Sequence, residues 1–108
     1  MIGQQSLPQA ASYLGVRIVR GCVEIHGVNS CHEVVLQGWF PRDDAVSLIS
    51  NRPASLIAVD ESAFSAELAA SWKILGHSII VIPPSAGRPA RRARDLCQLG
   101  VTLTATLN

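Results

Sequence analysis

The chain has 108 residues, of which 48% are hydrophobic and 16% are charged, and its formal net charge is +1. This composition excludes a disordered chain, and the length suffices for one hydrophobic core, so we expect a single domain over residues 1–108. The near-zero net charge excludes a strong overall attraction to nucleic acid or to anionic membranes, so any electrostatic recognition has to be local.

The first half of the chain predicts a short helix, a hairpin and a further strand. A helix fits the start because Ser6 can cap it, Pro8 suits its first turn, and Gly15 ends it. The residues on either side of Gly21 are rich in β-branched side chains, which favour paired strands, and Pro41 closes the next extended run. The predicted ranges are 9–14 for the helix, 16–20 and 22–26 for the hairpin, 27–30 for the turn after it, and 33–40 for the next strand.

Residues 55–84 predict a strand, a helix and a second strand, the unit around which the domain is organised. The apolar runs at 55–60 and 77–82 are nearly continuous, as is typical of parallel strands that are covered on both faces. The intervening residues 61–75 carry a helical pattern, and Gly76 suits the end of that helix. The segment is therefore predicted to form a βαβ unit with two parallel strands.

The helix of this unit has two apolar stripes. The first repeats at helical spacing and is expected to face the sheet; it consists of Phe64, Leu68, Trp72 and Leu75. The second is made mostly of small side chains, Ala63, Ala66, Ala70 and Ile74. It suggests contact with another element or with another copy of the chain, and the alternative is an ordinary alanine-rich helix with good intrinsic propensity.

Two further helices and an edge strand complete the prediction. Helices are expected over 43–50 and over 88–99, the latter capped by Gly100, with Ala45, Val46, Ile49, Ala93, Leu96 and Cys97 facing inward. Alternation of apolar residues with threonine predicts a half-exposed edge strand over 101–107. The predicted fold is a small single-domain α/β protein whose mixed sheet has an N-terminal hairpin and a C-terminal parallel βαβ portion covered by helices.

An arginine cluster opens the third predicted helix, at Arg88, Arg91, Arg92 and Arg94. Cations at a helix start oppose the helix dipole and repel one another at helical spacing, and such a local conflict can indicate a function. Ser85 and Gly87 offer backbone N–H donors just before the cluster. We interpret these six residues as an anion- or nucleic-acid-binding site, the alternative being arginines that extend into water with Asp95 pairing one of them.

Two adjacent acids follow the first strand of the βαβ unit, where open parallel sheets place their ligands. Asp60 and Glu61 could hold Mg²⁺ through carboxylate oxygens, which are the ligands that this ion prefers. They also suit the start of a helix, because Asp is a good cap and Glu favours the first turn. The sequence therefore leaves a magnesium site and a helix cap as alternatives.

Cysteines and histidines cluster in the first third of the chain, at Cys22, His26, Cys31 and His32. These residue types are zinc ligands, but their spacing lacks the paired C-x2-C arrangement of zinc sites. On a strand, Cys22 and His26 share one face. The sequence leaves open whether these four residues bind metal.

The expected location is the cytoplasm. Three cysteines are too few and too odd in number for a secreted disulfide scaffold, and a reducing compartment fits them better. No apolar run approaches the ~20 residues that cross a bilayer, and the chain does not open on a basic segment followed by an apolar stretch. We therefore expect neither a membrane span nor a signal peptide.

Residues 34–40 with 44–48, and residues 56–63 continuing through 76–84, resemble the two motifs of Toprim domains. The resemblance covers about half the chain. It implies a relation to domains of primases and topoisomerases, in which a glutamate and a pair of aspartates hold Mg²⁺ for phosphodiester chemistry. Here Gln37 stands in place of the glutamate and Ser62 in place of the second aspartate, and the motifs lie closer together than in a complete domain. The resemblance thus implies a domain that has kept only Asp60 and has lost catalysis.

The sequence favours a non-enzymatic binding module without a cofactor, acting through a protein partner, self-association or nucleic acid. Trp39 and Phe40, next to Arg42, fit such a role because aromatic side chains anchor interfaces and stack on bases, although they also fit a hydrophobic core. The first alternative is a metal-assisted phosphoryl-transfer enzyme that uses Asp60 and Glu61. The second is an oligomeric protein that encloses a small ligand.

Overall fold

A computed structural model describes residues 12–61, 63–83 and 91–107, which form a five-stranded sheet and three helices. Along the chain the elements are β1 (Ser12–Val19), β2 (Cys22–Asn29), β3 (Val34–Pro41), α1 (Arg42–Ser50), β4 (Leu56–Asp60), α2 (Ala63–Ile74), β5 (Ser78–Ile82) and α3 (Ala93–Leu107). The strand order is β3-β2-β1-β4-β5. β2 is antiparallel to β1 and β3, whereas β4 is parallel to β1 and β5. The predicted mixed α/β fold is therefore confirmed.

Both predicted supersecondary units form. β4 and β5 pair in parallel along their whole length, with α2 between them in the chain. β1 and β2 form the N-terminal hairpin around a turn at Gly21, where Arg20 has a φ of 55°. The strand predicted over 33–40 is β3, and the helix predicted over 43–50 is α1, with its inner residues against the core as expected, namely Ala45, Val46 and Ile49.

The helix predicted over 9–14 is wrong where the structure describes it. Its last three residues belong to β1, and its first three lie outside the described residues. Leu14 and Val16 point to one face of the sheet and Gly15 to the other, which is the two-residue period of a strand. Gly15 does not end a helix; it allows α3 to contact the sheet, because a Cβ built there would lie 1.9 Å from the carbonyl oxygen of Ala93.

The turn predicted over 27–30 is also wrong, because β2 continues to Asn29. A Cβ built at Gly27 would lie 2.4 Å from Cδ2 of Leu14, so this glycine serves the packing of the sheet face rather than a turn. The chain turns later, where the Oδ1 of Asn29 accepts a hydrogen bond from the backbone N–H of Cys31 at 2.9 Å. An asparagine side chain that bonds the backbone two residues on is a common turn device.

α3 extends through the residues that were predicted as an edge strand over 101–107, so that prediction and the predicted cap at Gly100 are wrong. A Cβ built at Gly100 would lie 3.3 Å from Cδ2 of Leu56, so this glycine lets the helix pass close to the sheet. The hydroxyl of Thr104 donates to the Gly100 carbonyl at 2.8 Å, which satisfies a polar side chain within the helix. The predicted inward residues of α3 are confirmed as buried, namely Ala93, Leu96 and Cys97.

Each face of the sheet packs against different helices. α1 and α2 cover one face and form the larger core with β-strand side chains, which include Leu14, Val16, Val23, Ile25, Ile57 and Val59. α3 covers the opposite face, where a smaller cluster consists of Ala58, Ile82 and Leu96. On that second face α3 contacts β1, β2 and β4, whereas Gln37 and Trp39 of β3 are exposed. The sheet therefore has an open area beside α3.

The inner stripe predicted for α2 is confirmed at Leu68 and Trp72, which are both buried. It is wrong at Leu75, which is exposed because it follows the end of the helix, and the side chain of Phe64 lies outside the described residues. The outer stripe is exposed at Ala66, Ala70 and Ile74, and Ile74 is 86% exposed.

No helix in the described part of the chain has the length and apolar character needed to cross a membrane.

Candidate binding cleft

The strand register aligns four side chains in one row on the α3 side of the sheet. Trp39 on β3 lies opposite Glu24 on β2, and Glu24 lies opposite Arg17 on β1. Asp60, at the end of β4, follows the last β1–β4 pair and continues the row beside Arg17. Because residues opposite each other in a sheet point to the same face, the row brings together an indole, two acids and a cation.

Glu24 ties the sheet to the start of α3. The residue is 8% exposed. Its carboxylate accepts hydrogen bonds from Nε of Arg92 at 2.9 and 3.0 Å, from Nη2 of the same residue, and from the backbone N–H of Ala93 at 3.0 Å. The last bond satisfies one of the unpaired N–H groups that every helix start exposes. The hydrogen bonds from Arg92, above all, hold the pKa of Glu24 below its ordinary value. Glu24 is therefore a charged anchor for α3.

The side chain of Arg17 extends across the row to Trp39. Its guanidinium carbon is 5.9 Å from the centroid of the Trp39 ring, within the range of a cation–π contact. Its charge also lowers the pKa of Glu24. The Trp39 side chain remains 48% exposed, so one part of the indole contacts Arg17 and another is open to a ligand.

The two acids proposed for magnesium are placed differently by the structure. Burial raises the pKa of Asp60, and the positive charges of Arg91 and Arg17 oppose that rise. Glu61 is exposed, and its backbone N–H donates to the Ile82 carbonyl at 3.0 Å. In residues 12–61, 63–83 and 91–107, no three Asp, Glu, His or Cys side chains are grouped so that they could hold a metal ion. The magnesium site stays a prediction.

The structure separates the arginine cluster. The guanidinium of Arg91 donates to the Pro83 carbonyl at 2.9 Å, that of Arg92 pairs with Glu24, and Arg94 is exposed. The remaining members of the predicted anion site lie outside the described residues, namely Ser85, Gly87 and Arg88. A carboxylate from β2 thus offsets part of the repulsion that suggested a bound anion. Sequence reasoning missed Glu24 and Arg17 because each resembles an ordinary polar residue of a strand.

An open cleft of about 870 Å³ lies between α3 and the β2–β3 part of the sheet. Its sheet side includes Glu24, His26, Gln37 and Trp39. Its helix side includes Arg92, Arg94, Asp95 and Gln98. Clefts of roughly 300–1,000 Å³ are typical of ligand sites, so this space is large enough to take a ligand.

The four candidate zinc ligands do not form one group. Cys22 and Cys31 are exposed free thiols, whereas His26 and His32 both line the cleft. Cys22 and His26 are both on the α3 side of β2, as the strand period predicts. Metal binding by these residues stays open, and the two histidines add polar character to one end of the cleft.

A second polar cluster lies where β1, β4 and β5 begin and has a structural role. Ser55 donates its backbone N–H to Nδ1 of His77 at 3.1 Å and its hydroxyl to the Pro53 carbonyl at 2.7 Å. The Ser12 hydroxyl lies 2.7 Å from that of Ser55. Because the Ser55 hydroxyl proton goes to a carbonyl and not to the imidazole, this cluster is not a Ser–His nucleophile pair. Burial lowers the pKa of His77, which favours the neutral ring.

Glu24→Gln is expected to reduce the sensitivity of folding to acid. The pKa of Glu24 is lowered from 4.5 in the folded protein, so its stabilisation is present above about pH 4.5 and is lost as the pH falls through the folded pKa. The difference in free energy of unfolding between wild type and variant should therefore be largest near neutral pH and smaller in acid. Urea denaturation across this pH range measures it. Glu67→Gln, which changes an exposed side chain on α2, is the control. If the loss of stability in Glu24→Gln did not depend on pH, Glu24 would not be the charged anchor of α3.

The chain matches no protein-family model and no curated protein. The resemblance to Toprim domains therefore stays a prediction. In the structure its residues Gln37 and Asp60 lie on β3 and β4, which are separated by β2 and β1, and Ser62 lies outside the described residues.

Proposed function

We propose that this protein is a non-enzymatic, cytoplasmic binding module that holds a segment of a protein partner in the cleft between α3 and β2–β3. The observation that carries the proposal is the exposed side of Trp39 at an open cleft whose sheet and helix walls are joined by Glu24. Aromatic side chains are enriched among the residues that dominate binding energy in protein interfaces. A half-exposed indole beside polar groups is therefore a suitable anchor point.

The charge of the cleft favours a protein segment over nucleic acid. Its described arginines, Arg92 and Arg94, are matched in number by its acids, Glu24 and Asp95. Nucleic-acid grooves gain most of their affinity from an excess of basic side chains near phosphates. Without that excess, the exposed polar and aromatic groups are better suited to a peptide.

Self-association is a second proposal, and a separate surface favours it. The outer side of α2 exposes Ala66, Ala70 and Ile74, and Ile74 is the most exposed large apolar side chain in the described part of the chain. Small residues on a helix allow a second helix to approach closely. This surface lies on the sheet face opposite the cleft, so the two proposals do not compete for the same residues.

Selection of random peptides displayed on phage tests the leading proposal. Peptides that bind the wild-type protein are expected to lose at least about tenfold in affinity for Trp39→Ala, because an interface anchor contributes more than about 1.4 kcal/mol. Leu48→Ala, which truncates an exposed apolar side chain on α1, is the matched control and should bind like the wild type.

Two outcomes would contradict the proposal. Selected peptides that bind both variants equally well would show that the cleft is not the site. A single-stranded oligonucleotide that binds at the cleft more tightly than any selected peptide, with the steep salt dependence of phosphate contacts, would replace the protein partner by nucleic acid.

A further inference from the structure

The length of the cleft limits how much of a peptide it can hold. Glu24 and Val28, both on β2, line its two ends. They are four residues apart, and a strand rises about 3.3 Å per residue, so the floor is about 13 Å long. An extended ligand runs at the same rise, and about four of its residues therefore fit.

The side chains exposed at one end of the cleft carry more positive than negative charge. Arg92 and Arg94 are exposed there. Of the two acids that line the same end, Glu24 is buried and bonded to Arg92, and Asp95 is exposed. Two exposed cations beside one exposed acid leave room for a further negative charge.

Arg92 is positioned to meet that charge. Its hydrogen bonds to Glu24 come from Nε and Nη2, Nη1 takes no part in them, and its side chain is 60% exposed. A guanidinium presents donors on more than one edge, so an arginine engaged on one edge can still donate from another. Arg94 is exposed two residues further along α3 and lines the same cleft. Together they offer charged donors at the end where Trp39 lies.

The other end of the cleft differs in character. Val28 and Val34 from the sheet, Val101 from α3 and the imidazole of His32 line it. The cleft therefore has a cationic and aromatic end and an end with more apolar side chains, and the two are about 13 Å apart. A ligand with a carboxylate and an adjacent apolar side chain at one end, and a second apolar residue at the other, matches this arrangement.

We propose that the ligand is an extended peptide segment of about four residues whose carboxylate lies between Arg92 and Arg94, with a neighbouring apolar side chain on the indole of Trp39. This inference rests on the proposed function and names its ligand class. The carboxylate is that of an acidic side chain or of a peptide C-terminus, since both have the same chemistry for a guanidinium.

The test titrates ¹⁵N-labelled protein with the peptide Ac-Val-Thr-Phe-Glu-NH2 and with its neutral counterpart Ac-Val-Thr-Phe-Gln-NH2. The acidic peptide is expected to shift amide signals along β2, β3 and α3 and to bind roughly fivefold more tightly, as one exposed ion pair allows. Ac-Val-Thr-Phe-Gln-OH, which carries a terminal carboxylate instead, distinguishes the two sources of the anion.

Arg94→Gln is expected to remove the preference for the acidic peptide, so that the acidic and the neutral peptide bind this variant with about equal affinity. Lys73→Gln, which removes a cation from α2 on the other side of the sheet, should preserve the preference. Equal affinities of acidic and neutral peptides for the wild type would overturn the inference. If phage-selected peptides bind the cleft without any acidic residue, the inference fails while the proposed function stands; if none depends on Trp39, both fail.

Discussion

Gly15→Ala is expected to destabilise the protein by about 3 kcal/mol or more, the upper range for overpacking a core. A Cβ at this position would lie 1.9 Å from the carbonyl oxygen of Ala93 and 2.4 Å from the backbone nitrogen of Cys97. Both contacts are with backbone, so no side-chain rotation relieves them and α3 has to move away from β1. Such a loss is a large fraction of the ~5–15 kcal/mol that stabilises a typical domain.

Gly21→Ala is the matched control for that experiment. A Cβ built at Gly21 would have no heavy atom within 4 Å, so the free energy of unfolding is expected to change by less than about 0.5 kcal/mol. Urea denaturation of both variants, followed by circular dichroism, measures the difference. Equal stabilities would show that α3 does not lie against β1 at Gly15.

Trp72→Ala is expected to cost about 3–5 kcal/mol, the usual range for removing a buried aromatic side chain. Trp72 is 1% exposed and packs in the main core together with Leu68, Ile57 and Ile49. Its indole N–H makes no hydrogen bond in the described structure. Trp72→Phe removes that buried donor and keeps an aromatic ring, so it should cost less than the alanine change.

The second tryptophan provides the contrast. Trp39→Ala removes a half-exposed side chain and a cation–π contact with Arg17, which together should cost about 1 kcal/mol or less. Stability is therefore expected to depend on Trp72, and ligand binding on Trp39. Denaturation curves of the two alanine variants measure the first difference, and a larger loss of stability for Trp39→Ala than for Trp72→Ala would contradict the assignment of the core.

The parts of the fold that the sequence predicts well are those whose signal is local. The β4–α2–β5 unit consists of two continuous apolar runs around a helical repeat, and each of those patterns is contained in a few neighbouring residues. The hairpin at Gly21 is equally local. In both cases the chain segment that forms the structure also carries the pattern that predicts it.

The errors arise where distant contacts decide the conformation. Gly15 and Gly100 both resemble helix ends in the sequence, yet each lies where α3 and the sheet approach each other. The alternation over 101–107 has the two-residue period of a strand, yet α3 continues through these residues, and Gly100 lies close to Leu56 of the sheet. No pattern within residues 101–107 indicates that contact between α3 and the sheet.

The candidate site was predictable only in part for the same reason. Trp39 and the arginines at and before the start of α3 are candidates from their residue types alone. Glu24 is not, because its partner Arg92 is 68 residues away in the chain. The role of this single acid is visible only in the folded protein, where the sheet places it next to the start of α3.

The anchoring of α3 by Glu24 also has a consequence for how fast a partner can associate. Because one carboxylate joins the floor of the cleft to the first turn of its wall, the cationic end exists before any ligand arrives. A preformed site loses little conformational entropy when a ligand binds, and association then needs no slow rearrangement of the protein. Differences in affinity among peptides should therefore appear mainly in their dissociation rates.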